Sequence, residues 1–187
     1  MSKSLGNFFT LDDTTKKGIE PMALRLLFLQ THYRSQMNFT WEAAHGAQEA
    51  YNKLKDTVLA LQAQTQRTQL SEEKLKQVDA YRGRFEKAIA SDLQLPQAVA
   101  VMWETLKSNI PSPDKLDLLI DFDQVLGLKL DNVKEEQVPE NILKLAHERQ
   151  VARKNNDFAK SDEIRQKIQQ KGYLIEDLDD GFKIKKY

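Results

Sequence analysis

TWEAAHGAQEAYNKLKDTVLALQAQ, residues 40–64, decides the fold class. Ala47, Tyr51, Leu54, Val58 and Leu61 fall at intervals of three and four, so one stripe of a long helix is apolar and the rest polar. Thr40 precedes the run as an N-cap candidate.

The same period extends in both directions, from about residue 11 to residue 171. On the N-terminal side, Pro21 opens a helix carrying Met22, Leu24, Leu27 and Phe28. On the other side, residues 65–70 are a polar connector, and Ser71 opens a helix through Leu75, Val78, Tyr81, Phe85 and Ile89. Pro96 begins another with Val99, Met102, Trp103 and Leu106, and residues 109–113 break it. Leu116, Leu119, Ile120 and Leu126 mark the next, stopped by Gly127. Trp41, Tyr51, Tyr81, Phe85 and Trp103 occupy core-spaced positions and are expected to fill the bundle.

Residues 129–138 are charged and without a strong period, which predicts a linker. Pro139 then opens a helix with Ile142, Leu145, Ala146, Arg149 and Ala152 at core spacing. A turn at Asn155-Asn156 leads to a second helix, with Phe158, Ile164 and Ile168 expected inward and Gly172 as its stop. The period then changes to that of strands around Asp179-Asp180-Gly181, a hairpin signal. The pattern as a whole predicts a mainly α protein: a helical bundle, then a small module of one helix hairpin and one β-hairpin.

Bulk properties bound the function only loosely. Lys plus Arg and Asp plus Glu both number 28. Residues 1–35 carry five basic and three acidic side chains and residues 139–187 eleven and nine, so both ends are mildly basic and permit a nucleic-acid contact without demanding one. The chain has no cysteine, which excludes a disulfide framework and a thiolate metal site. His32, His45 and His147 do not share a helical face, so no metal site is expected. No apolar run reaches membrane-spanning length, and the first residues do not resemble a signal peptide; the expected location is the cytoplasm.

Function enters through four separated stretches. Met1-Ser2-Lys3-Ser4 resembles the end of the Lys-Met-Ser-Lys-Ser loop of class I aminoacyl-tRNA synthetases. A mobile lysine suits such a loop, because adenylate formation builds negative charge on the departing pyrophosphate. Leu5-Gly6-Asn7-Phe8-Phe9-Thr10, the Pro21–Arg25 stretch and His32-Tyr33-Arg34-Ser35 follow, in order and spacing, the pattern of cysteine–tRNA ligases. Asp92-Leu93-Gln94-Leu95-Pro96-Gln97-Ala98 is similar to that family's Asp-Phe-Asn-Thr-Pro-Glu-Ala segment, departing at Gln94 and Leu95. Ala152-Arg153-Lys154, Asp157-Phe158-Ala159, Asp162, Arg165, Gly172 and Glu176-Asp177 resemble its terminal module.

The resemblance implies the tRNA-binding C-terminal portion of an enzyme that joins cysteine to its tRNA with ATP, through an aminoacyl-adenylate. It implies four segments: a remnant of the catalytic region at residues 1–20, an anticodon-binding-type bundle over 21–128, the linker, and an anticodon-recognition module over 139–187. Lys3, flanked by Ser2 and Ser4, is then the ATP-phosphate contact. Arg153, Lys154, Phe158, Asp162 and Asp177 are the anticodon contacts, with carboxylates and arginine at base edges and an aromatic ring for stacking. Two alternatives stand beside these roles: Phe158 fills the core of the helix hairpin, and Asp162 pairs with Arg165 on the surface. Lys160, Lys167 and Lys171 share one face and are either solvated or on the RNA backbone. His32 to Ser35 either cap the helix before them or touch tRNA or the catalytic domain.

The family's catalytic domain and its zinc site lie upstream of the signature loop. ATP and zinc are therefore expected in the parent enzyme and no cofactor on these residues; by themselves they are expected to catalyse neither step. The implied partners are cysteine tRNA and that catalytic domain, with no DNA and no membrane. The rival readings are a stand-alone RNA-binding module, a scaffold bundle that binds no RNA, and an amino-acid ligase acting on an amine.

Overall fold

Helices begin at capping side chains or at prolines. In the computed structural model, which describes residues 9–64, 66, 67, 69–135, 138–178 and 181–186, the chain forms two compact units, residues 1–134 and 135–187. Lys3, Ser2 and Ser4, and the hairpin residues Asp179 and Asp180, lie outside the described residues.

The first unit holds α1 (Leu11–Lys16), α2 (Pro21–Leu29), α3 (Trp41–Gln62), α4 (Glu72–Ala90), α5 (Leu95–Lys107) and α6 (Ser112–Leu126). Thr10 and Asp13 close a capping box on α1. The Thr40 hydroxyl accepts from the Ala43 N–H at the start of α3, and Ser71 does the same for Lys74 in α4. Prolines occupy the first turns of α2, α5 and α6, where the lost N–H costs nothing.

α3 packs on α2 and α6, while α4, α5 and α6 pack on one another. Their facing stripes share one core, in which Leu26, Leu54, Met102, Leu118, Leu119 and Leu126 are wholly buried. Phe85 and Phe122 stack with ring centres 4.1 Å apart. Tyr51 and Phe85 are buried, and Tyr81 and Trp103 pack at the margin of this core. Trp41 stands elsewhere: its ring meets Phe9 and Phe39 edge-on, with the Lys17 ammonium 4.3 Å from its centre.

The end of α6 is the polar anchor of the unit. Gly127 is left-handed (φ 64°), and its N–H donates to the Asp123 carbonyl. Lys129 is left-handed as well, so Leu128 and Leu130 both turn inward and are fully buried. The Asp123 carboxylate accepts the Leu128 and Leu130 N–H groups at 2.6 and 2.8 Å. Arg25 donates to the Leu126 carbonyl and Tyr51 to the Leu128 carbonyl. Burial, helped by the charges of Glu20 and Asp123, pushes the Tyr51 hydroxyl up to about 12. The stretch 129–138, expected to be a linker, thus contributes Leu130 and Val133 to the first core.

The second unit is α7 (Glu140–Lys154), α8 (Phe158–Gln170), β1 (Tyr173–Leu178) and β2 (Gly181–Lys186). Asn156 and Gly172, both left-handed, make its tight turns. The strands pair antiparallel with Ile175 opposite Ile184 and Asp177 opposite Phe182. Ile142, Ala146, Ile164, Ile168 and Ile175 form its core. Phe158, expected inward, is 60% exposed. Among the described residues the apolar cluster of this unit begins on α8 only at Ile164, one turn after the buried Ser161.

The anchor at α6 yields two expectations. Asp123→Ala should destabilise the first unit by roughly 2–6 kcal/mol, since two buried N–H groups lose their acceptor at about 1–3 kcal/mol each. Gly127→Ala should cost about 1–3 kcal/mol, because a Cβ there would stand 3.0 Å from the Arg25 guanidinium on a left-handed backbone. Both tryptophans lie in this unit, so their fluorescence during urea unfolding reads it alone; an unchanged midpoint for both variants would contradict the assignment.

Candidate nucleic-acid interface

Arg149 and Arg153 stand four residues apart on α7 and project from one face. Arg149 also continues the buried line Ile142–Ala146, and only 3% of its side chain is exposed. On β1 the alternation that buries Ile175 sends Asp177 to the same side of the sheet. The two elements therefore bring a buried guanidinium and a strand carboxylate together.

Arg149 donates to both oxygens of Asp177, Nη1 to Oδ1 at 2.6 Å and Nη2 to Oδ2 at 3.1 Å. Its Nε is buried without a partner among the described residues. Arg153 donates from Nη1 to Oδ2 of the same carboxylate from the solvent side. The Arg149 hydrogen bonds, with the charges of Arg149, Arg153 and Arg165, hold the Asp177 carboxyl below the usual carboxylate range against the opposing effect of burial.

The remaining predicted residues lie at the same end of the module. Lys154 ends α7 and is exposed. Phe158 opens α8, with Asp162 and Arg165 following on its face at intervals of four and three; all three are exposed. Asp162 and Arg165 form no ion pair among the described residues, whereas Lys167 pairs with Glu163 at 2.6 Å. The structure thus joins Arg153 directly to Asp177 and leaves the Phe158 ring bare on the neighbouring helix. Arg149 is the residue that sequence reasoning passed over. The signal was present: an arginine at a core-spaced position requires an acidic partner, and Asp177 shares the pleat face of Ile175.

A second convergence joins two other stretches. The Tyr33 hydroxyl donates to Oδ1 of Asp92 at 2.7 Å, Arg34 Nη2 lies 3.3 Å from the same oxygen, and His32 Nε2 meets the Asp92 carbonyl at 3.0 Å. Asp92 and Leu93 are both left-handed, an unusual pair of non-glycine residues in the turn between α4 and α5. His32 and Arg34 clasp this turn; no α2 carbonyl accepts from either among the bonds of the described residues.

The sign of the pH dependence at Asp177 follows from its lowered folded value. Its pairing stabilises the second unit fully above the ordinary aspartate value of about 4, and that contribution disappears as pH falls through the lower folded value. The protection factors of α7 and α8 amides, taken against the unfolded-chain rate at each pH, should fall across that acid window in the unmodified chain. Asp177→Asn should remove this part of the dependence; an identical acid profile in both would contradict it.

Comparison with known proteins agrees with the four motifs. The family model described as "tRNA synthetases class I (C) catalytic domain" matches residues 1–49. Cysteine–tRNA ligase 1 of Burkholderia lata is 37% identical over 185 residues, covering 97% of this chain and 37% of that protein. The cysteine–tRNA ligase of Leptospira interrogans is 34% identical over 200 residues, covering 100% of this chain and 42% of its own. That of Chlamydia felis is 35% identical over 198 residues, covering 100% and 41%. The chain spans about two fifths of the length of these curated relatives. Across its whole length, the chain is similar to a part of cysteine–tRNA ligases.

Proposed function

We propose that these residues form the tRNA-holding, C-terminal portion of a cytoplasmic cysteine–tRNA ligase, and that the second unit reads the anticodon of cysteine tRNA. The observation that carries the reading is the Arg153–Asp177 pair at the surface, with the exposed ring of Phe158 four residues beyond the end of α7. Splayed bases of a single-stranded loop offer donors and acceptors on their edges and π faces for stacking. Asp177 accepts from a base N–H, Arg153 donates to ring nitrogens and carbonyls, and Phe158 stacks. Asp162 lies one turn from Phe158 and supplies a second acceptor; Lys154 meets backbone phosphate.

The enzyme's chemistry, activation of cysteine by ATP and transfer to the terminal hydroxyl of tRNA, belongs in this reading to a catalytic domain working with these units. Lys3, with Ser2 and Ser4, serves it by meeting the ATP phosphates. The residues in hand do not fit the zinc ion associated with the enzyme: the chain has no cysteine, and no three His, Asp or Glu side chains gather to hold a metal among the described residues.

Cysteine tRNA should bind the chain more tightly than a version with an exchanged anticodon, and Arg153→Ala should erase most of that difference. Phe158→Ala should weaken binding by roughly 1–3 kcal/mol, the range for loss of one stacked base. Filter binding at fixed salt reads both. Equal affinity for the two RNAs would leave only non-specific electrostatics, and no binding at moderate salt would favour a scaffold.

A further inference from the structure

Arg153 and Asp177 are paired with each other. If both are to face RNA, they must part. The geometry decides which of them stays. Arg153 is 45% exposed and reaches one carboxylate oxygen from the solvent side. Arg149 is 3% exposed and spans both oxygens from the core side.

We propose that Arg149 is a positioning residue for base recognition: it grips Asp177 by both oxygens from beneath and keeps the carboxylate aimed outward while Arg153 turns from it to the RNA. The inference rests on the reading that this face contacts the anticodon. Its own support is independent of that reading. A buried position between Ala146 and Ala152 would be filled more cheaply by an apolar side chain, since a buried ion pair is commonly replaceable by hydrophobic residues without loss of stability. Arg149 has no other engagement: both of its hydrogen bonds go to Asp177, and its Nε has none among the described residues. What the guanidinium provides that an apolar residue does not is the fixed orientation of one carboxylate.

The bidentate fit also separates arginine from lysine, whose single ammonium carries equal charge but does not hold two oxygens in one plane. Because Arg149 is buried, it adds little to the attraction of RNA phosphates. Its loss should change discrimination between RNAs more than affinity for all of them.

The test uses the full chain with Arg149→Met, Arg149→Lys, Asp177→Asn and the double variant of Arg149→Met with Asp177→Asn. The probes are cysteine tRNA and its anticodon-exchanged form, and the readout is the ratio of the two Kd values. That ratio is unaffected by a fraction of unfolded protein, which lowers both affinities equally. A discrimination of about tenfold, within the range for one well-placed base contact, should fall to near unity in Arg149→Met and largely in Arg149→Lys. The affinity for the exchanged RNA should stay within about twofold. The double variant should discriminate no worse than Asp177→Asn alone, and should melt no lower.

Discrimination retained in Arg149→Met, or a further loss in the double variant, would overturn the inference. Should the unmodified chain show no discrimination, the anticodon reading itself fails, and a second measurement still decides the positioning role. Carboxyl NMR of Asp177 should show its titration moving upward more in Arg149→Met than in Arg153→Ala. The opposite order would show that the exposed arginine is the one that holds the carboxylate.

Discussion

Asp177 is shared by two arginines of different burial, and the rest of the second unit is arranged around that sharing. Its carboxylate ties β1 to α7 at the end of the module where the apolar core has run out. The isoleucines of α7, α8 and β1 hold the layers together, but their contacts are non-directional. A bidentate arginine–carboxylate pair fixes both distance and plane, so it sets which groups the module offers to solvent. Phe158 opens α8 before the apolar cluster of that helix begins and is exposed.

The first unit uses carboxylates in a related way. Asp123 holds two backbone N–H groups and closes the end of α6, and Asp92 is clasped by the residues following α2. In each case one acidic side chain fixes a chain reversal that packing alone would leave underdetermined. The two left-handed residues at 92 and 93 persist because Tyr33, His32 and Arg34 hold the turn from outside.

Much of the fold could be read from period and caps. The apolar stripe of residues 40–64, the capping residues Thr40 and Ser71, and the stops at Gly127 and Gly172 are local features whose physics needs no tertiary partner. Two errors share a cause that is not local. Phe158 continues the apolar line of α8 on a helical wheel, yet the line extends past the end of the core. Leu130 and Val133 look like isolated apolar residues in a charged stretch, yet the left-handed Lys129 and a 3-10 turn over Leu130–Asn132 bring both inward. Arg153 and Asp177 were legible only through the resemblance to cysteine–tRNA ligases; their contact, and Arg149 beneath it, required the pairing of an α7 face with a pleat face of β1.

If cysteine tRNA is read at the arginine–carboxylate end of the second unit, hydrogen exchange of the full chain should respond to that RNA. Cysteine tRNA should slow exchange from the end of α7 through the first turns of α8 and along β1, and the slowing should be lost when the anticodon is exchanged. Protection confined to other segments, or surviving anticodon exchange unchanged, would contradict that reading.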